Sequence, residues 1–161
     1  MQDYFKELDT AQYQASFTLT ENDGGGTVVL NVEADNGTRL YITQINLKMS
    51  VVSSARQIYG YLQDSSGVII STLMYDTTAY SSTYLTFPNT GSIATNTANV
   101  TSAHYIPVIN GDQLQFQGIS LGDGESITVL IRGYIRGGLP VTSTTGSSNT
   151  PSLTTTYARI V

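Results

Sequence analysis

The chain has no cysteine and no tryptophan, and its 161 residues include a single histidine, His104. The absence of cysteine excludes disulfide bonds and thiolate metal sites. One histidine leaves no second imidazole for a His-based zinc or iron centre, and an isolated histidine on a predicted strand does not indicate acid–base catalysis. Ser and Thr are abundant, but without a base partner they are interpreted as polar surface. We therefore predict a protein that is not an enzyme and carries no cofactor.

Charge is scarce as well. Only 12% of the residues are charged, the net charge is −5, and Lys and Arg number seven, which argues against binding to a phosphate backbone. Solvated faces built from Thr, Ser, Asn and Gln instead suit a protein that packs against many copies of itself or a partner. No apolar run approaches the ~20 residues that span a bilayer, and the first residues do not form a signal peptide. We expect a soluble protein made in the cytoplasm, without nucleic-acid or membrane partners.

The clearest positive signal is two-residue alternation of apolar and polar side chains. In YITQINLKMSV it places Tyr41, Thr43, Ile45, Leu47, Met49 and Val51 on one face. Gly- and Asn-rich breakers separate eight or nine such runs, and the Tyr75–Ala98 segment is interpreted as a crossover between sheets. The pattern predicts an all-β protein, a single jelly-roll β-sandwich of two antiparallel sheets over residues 14–137. An immunoglobulin-type sandwich is the alternative, although its Cys and Trp landmarks are absent.

Both ends of the chain are predicted to lie outside this domain. Residues 1–13 form an N-terminal arm in which Tyr4, Phe5 and Leu8 share one helical face. Residues 138–161 form a flexible linker and a strand-like tail, because VTSTTGSSNTPS is too polar to order itself and TTTYARIV has high β-propensity. The predicted assembly contacts are Tyr4, Phe5, Leu8, Tyr157, Ile160 and Val161. Pairing of the tail with its own domain remains open.

Two further groups of residues are candidate binding sites. Asp112, Asp123 and Glu125 lie in Gly-containing loops and are possible calcium ligands, but turn formation explains the same residues. The aromatic candidates form an amphipathic surface that suits sugars or proteins, with an ordinary tyrosine-rich sheet face as the alternative: Tyr59, Tyr61, Tyr75, Tyr80 and Tyr84.

Three segments carry a resemblance: RLYITQINLKMSVVSSARQIYGYLQDSSGVII, YIPVINGDQLQFQG and ESITVLIRGYIRGG, which together cover about residues 38–138. The order and spacing of strands and turns in these segments resemble those of small jelly-roll virion proteins of bacterial viruses, especially capsid decoration or cement proteins. The resemblance implies no active site, a homo-oligomer with the trimer favoured, capsid protein as the partner and a location on the capsid surface of the virion. Alternatives are a small single-jelly-roll capsid protein and the receptor- or glycan-binding head of a fibre.

Overall fold

A computed structural model of the protein describes residues 11–22, 25–35, 37–51, 54–80, 84–87, 105–146 and 151–158, without the side chains of Tyr84 and Ala158. Within these ranges the chain forms strands and turns and no helix. The strands are β1 (Ala11–Thr20), β2 (Gly26–Glu33), β3 (Arg39–Ser50), β4 (Arg56–Gln63), β5 (Ile69–Ala79), β6 (Tyr84–Phe87), β7 (Ile106–Ile109), β8 (Gln113–Leu121), β9 (Ser126–Arg136), β10 (Val141–Thr145) and β11 (Ser152–Ala158).

The strands build two sheets. Sheet A has the order β11-β1-β9-β3-β6, and β7 also pairs with β3; sheet B has the order β10-β2-β8-β4-β5. All pairs are antiparallel. Strands β6 and β7 lie beside different halves of β3, since β6 pairs with residues 45–48 and β7 with residues 39–42. The prediction of an all-β sandwich made of two antiparallel sheets is confirmed.

Alternation explains the core between the sheets. The inward residues of β9 predicted from the sequence, from Ile127 to Ile135, are buried at every second position. On the opposite sheet, Leu114 and Phe116 of β8 are fully buried between exposed or half-buried glutamines. Because each strand buries only one face, the core requires both sheets and cannot form from one of them.

Strand β3 departs from simple alternation. Tyr41 and Thr43 were predicted to share a face with Ile45, but they point outward while Leu40, Ile42 and Ile45 are buried. The register against β9 shifts between Ile42 and Gln44, so Thr43 is an extra residue, a β-bulge. A bulge reverses which residues face the core on either side of it, and this prediction was therefore wrong for the first part of β3.

The terminal regions are more ordered than the sequence suggested. Strand β1 begins at Ala11, inside the predicted arm, and β10 lies in the predicted flexible linker, where Thr and Val favour a strand once β2 offers an edge. Strand β11 pairs with β1 of the same chain, from Gln14 opposite Ala158 to Thr20 opposite Ser152. Five predicted contact residues lie outside the described residues: Tyr4, Phe5, Leu8, Ile160 and Val161.

Candidate binding surface

The outer face of sheet B carries a connected network of side-chain amides. Gln115 is its centre: its Nε2 donates to Asn31 Oδ1 at 3.0 Å, and its Oε1 accepts from Gln63 Nε2 at 3.0 Å. Asn31 Nδ2 continues the network to Ser143 Oγ on β10 at 3.4 Å. These residues are neighbours because the register places Ser143, Asn31 and Gln115 opposite one another on three adjacent strands. An amide both donates and accepts, so the network extends across the sheet without charge.

Three tyrosines stand beside this network. The rings of Tyr59 and Tyr61 are 5.6 Å apart with planes 12° from parallel, and those of Tyr59 and Tyr75 are 6.1 Å apart at 13°. Tyr59 and Tyr61 share a face of β4 because they are two residues apart, and Tyr75 lies opposite Tyr59 on β5. Burial, and secondarily the neighbouring Tyr59, raise the pKa of Tyr61 above its usual value. The tyrosine cluster and the amide network together form what we call the sheet B face.

The structure brings together only part of the predicted aromatic surface. Tyr59, Tyr61 and Tyr75 meet on sheet B, and Tyr80 follows β5 with an exposed side chain. Tyr84 belongs to β6 and pairs with Lys48 in sheet A, because the chain crosses between the sheets after β5. The sequence alone did not identify the amides as a binding feature, although the alternation of Gln113, Gln115 and Gln117 with Leu114 and Phe116 indicated that they share one face.

The acidic candidates do not converge. Glu125 is 2% exposed and accepts hydrogen bonds from Arg56 Nε at 2.8 Å and from the Gly122 backbone N–H at 2.7 Å. Asp112 lies in the β7–β8 turn, where its N–H donates to the Ile109 carbonyl, and Asp123 lies in the β8–β9 turn. In the part of the chain that the structure describes, no three His, Cys, Asp or Glu side chains are grouped to hold a metal ion.

The Arg56–Glu125 pair gives a stability prediction. Replacing Arg56 with Met leaves a buried carboxylate without its cation, and we expect the free energy of unfolding to fall by about 3 kcal/mol in urea denaturation. The matched control is Arg132→Met, because Arg132 is exposed and donates only to the amides of Gln14 and Gln44; it should change stability by less than ~1 kcal/mol. Equal effects of the two variants would contradict a structural role for the buried pair.

A second feature lies at the β10–β11 edge of the sandwich. It is a pocket of about 80 Å³, lined by Tyr13, Gln14, Ile135, Gly137, Gly138, Leu139 and Tyr157. Tyr13 is 4% exposed, and within the described ranges its hydroxyl has no hydrogen-bond partner. Burial, and secondarily Tyr157, raise the pKa of Tyr13 far above its usual value. Tyr157 packs edge-on against Phe17, with ring centroids 6.2 Å apart.

The buried hydroxyl predicts that Tyr13→Phe stabilises the protein, because an unsatisfied buried polar group is removed; we expect a gain of about 1 kcal/mol at pH 7 in urea denaturation. Ionisation of Tyr13 occurs at about pH 10 in the unfolded chain and at higher pH in the folded chain. Below pH ~10 Tyr13 is neutral in both states and adds no pH dependence; as the pH rises further the unfolded chain ionises first, so the free energy of unfolding falls until the folded value is reached. Stability of Tyr13→Phe should decline less steeply above pH 10.

Tyr59→Phe serves as the control for this hydroxyl, since Tyr59 is half-buried and its hydroxyl donates only a long bond of 3.5 Å to Gln57. It should leave stability near that of the unchanged protein. Destabilisation by Tyr13→Phe at pH 7 would mean that the Tyr13 hydroxyl has a partner.

Comparisons with protein-family models, curated proteins and solved structures found no match. Among the described residues, no helix has the length and apolar character needed to cross a membrane. The sheet B face and the exposed edges of the sandwich are the surfaces that a partner could contact.

Proposed function

We propose that the protein is a non-enzymatic structural protein of a virus particle, a capsid decoration or cement protein whose sheet B face binds the capsid protein. The observation that carries the proposal is the continuous face of tyrosine and amide side chains across sheet B. Tyrosine is enriched at protein interfaces because a large apolar ring and a hydroxyl are presented together at low entropic cost. A broad sheet face suits a protein partner better than a small molecule, which needs a concave pocket.

The strand order supports the jelly roll on which the proposal depends. Successive strands alternate between sheets from β1 to β4, β5 follows β4 in sheet B, and the chain then alternates again through β6 and β7, β8 and β9. An eight-stranded jelly roll, built from two Greek keys, has this strand order if β6 and β7 together count as one strand beside β3. Strands β10 and β11 then extend one edge of each sheet.

The same face supports a second candidate, a glycan-binding head. Near-parallel tyrosine rings offer apolar surfaces for sugar rings, and the neighbouring amides offer donors and acceptors for hydroxyl groups. The two candidates differ in their ligand but predict the same residues, so the test must offer both ligands.

The test is co-sedimentation with empty shells assembled from the major capsid protein encoded in the same genome, alongside a glycan array. We expect the unchanged protein to sediment with the shells, and Tyr61→Ala to weaken this binding at least tenfold, as truncation of an interface anchor does. Tyr134→Ala, a tyrosine on the outer face of sheet A, is the matched control and should bind normally.

The proposal fails if the unchanged protein does not sediment with the shells, or if Tyr61→Ala and Tyr134→Ala bind them equally well. Glycan binding that Tyr61→Ala abolishes, in the absence of shell binding, would establish the second candidate instead.

A further inference from the structure

The exposed large hydrophobic residues of the described chain lie on two opposite edges of the sandwich. Val68, Ile69 and Ile70 lie at the start of β5, which is one edge of sheet B, and we call them the β5 ridge. The other edge carries Leu139 and Tyr157, which line the pocket of Tyr13, and the nearby Val141 of β10; we call it the β10–β11 site. The remaining exposed large hydrophobic residue is Tyr80, which follows the other end of β5. The side chains of these seven residues are 41–61% exposed. Apolar side chains on exposed strand edges are features that monomeric proteins normally avoid.

The two patches are at the same height along the strands. Cross-strand pairing connects Val141 to Glu33, Glu33 to Gln113, Gln113 to Gln63 and Gln63 to Ile69. A single row across sheet B therefore starts at one patch and ends at the other. A rotation about an axis perpendicular to this row brings the β5 ridge of one copy against the β10–β11 site of the next at a similar height.

The dimensions of the β10–β11 site fit a side chain. Its pocket of about 80 Å³ is well below the ~300 Å³ or more that drug-sized ligands occupy. A branched aliphatic side chain, such as those of the β5 ridge, is of a suitable size and chemistry. Leu62 pairs with Ser71 and Gln63 pairs with Ile69, so the register between β4 and β5 is irregular here and Ile70 has no partner residue on β4. An unpaired residue at the sheet edge is free to project into a pocket of another copy.

Two arginines flank the β10–β11 site, which also has Glu33 of β2 opposite Val141, and an aspartate flanks the β5 ridge. Arg39 and Arg136 lie directly across from each other on β3 and β9, both exposed, and with Gly37 and Gly137 they line a recess next to the β10–β11 site. Neither arginine forms an ion pair within the described ranges. Like charges directly opposite each other on a sheet are destabilising unless an anion joins them. Beside the β5 ridge lies Asp64, whose Oδ1 accepts from the Val68 backbone N–H at 2.9 Å.

We propose that the β5 ridge of one copy docks into the β10–β11 site of a second copy, with Asp64 facing Arg39 and Arg136. Each copy offers both halves of this contact, so copies join head to tail, and we expect the rotation between successive copies to close them into a ring rather than an open filament. A ring would present several sheet B faces to a shell and strengthen binding through avidity. This role of the ring rests on the proposed function, whereas the contact itself does not.

The experiment measures the mass of the full chain by size-exclusion chromatography with light scattering over a range of concentrations. We expect a closed oligomer for the unchanged protein and a monomer for both Ile69→Glu and Leu139→Glu, which place a charge on exposed side chains and should not disturb folding. Thr77→Glu adds the same charge at an exposed position of β5 outside the ridge and should remain oligomeric.

Mixing the two variants gives the sharpest result. Ile69→Glu retains an intact β10–β11 site and Leu139→Glu an intact ridge, so an equimolar mixture should form a heterodimer and nothing larger. A monomeric unchanged protein, or oligomers that survive in both variants, would overturn the contact. Circular dichroism of each variant checks that the fold is retained.

The outcomes for ring and shell are separable. A monomer that still sediments with shells would overturn the ring and leave the proposed function standing. A ring that does not bind shells would support the contact and overturn the proposed function alone.

Discussion

Ending the chain after Gly137 should remove most of the stability of the domain. The deletion takes away β10, which pairs with five residues of β2, and β11, which pairs with seven residues of β1. It also opens the edge of the core beside Phe17 and Leu19, which are fully buried and pair with Thr155 and Leu153 of β11. We expect the free energy of unfolding to fall by roughly 5 kcal/mol, a large part of the 5–15 kcal/mol typical of small domains. Thermal unfolding followed by circular dichroism measures the loss.

A peptide of residues 138–161 is the control for this deletion. If the terminal strands stabilise the domain by pairing, adding the peptide in excess should raise the melting temperature of the truncated protein, because a ligand that binds only the folded state stabilises it. The opposite finding, a truncated protein with an unchanged melting temperature, would show that β10 and β11 contribute little in the same chain and would favour pairing of the tail with another subunit.

Gly133→Ala should prevent folding or destabilise the protein by more than ~4 kcal/mol, a size of effect that single substitutions rarely reach. A Cβ atom at Gly133 would overlap the Tyr41 carbonyl oxygen and lie 3.0 Å from the Ile42 Cα atom. Both are backbone atoms of β3 beside the bulge at Thr43, and β9 is held between β1 and β3. Neither strand can move aside without breaking a ladder of hydrogen bonds. Soluble yield and thermal unfolding are the measurements.

Gly138→Ala is the matched control, since a Cβ there meets nothing closer than the Thr38 Oγ1 atom at 3.8 Å. We expect it to change stability by less than ~1 kcal/mol, in either direction. Wild-type stability in Gly133→Ala would mean that the β3 bulge relaxes to admit a side chain, and the account of why glycine stands there would then be wrong.

Local pattern was sufficient for the strands themselves. Alternation in β8 and β9 predicts which residues are buried, because the side-chain period of a strand is a property of its backbone alone. Alternation gave the wrong buried face before Thr43, because a β-bulge depends on the partner strand. The residue that permits this bulge, Gly133 of β9, lies 90 residues further along the chain.

The candidate surfaces depended still more on tertiary structure. The sequence identified Tyr59, Tyr61 and Tyr75 as a possible surface, but only sheet pairing placed them beside Gln115 and Asn31 and moved Tyr84 to the other sheet.

Composition and alternation were enough to predict β-strands with one apolar face each, in a chain that lacks cysteine and a second histidine. Strand pairing was needed to place the terminal strands in the sheets of their own chain, Arg39 opposite Arg136, and the two apolar patches at opposite ends of one row. These features are non-local: each depends on which strands pair and in what register, and register is fixed by the packing of the whole sandwich.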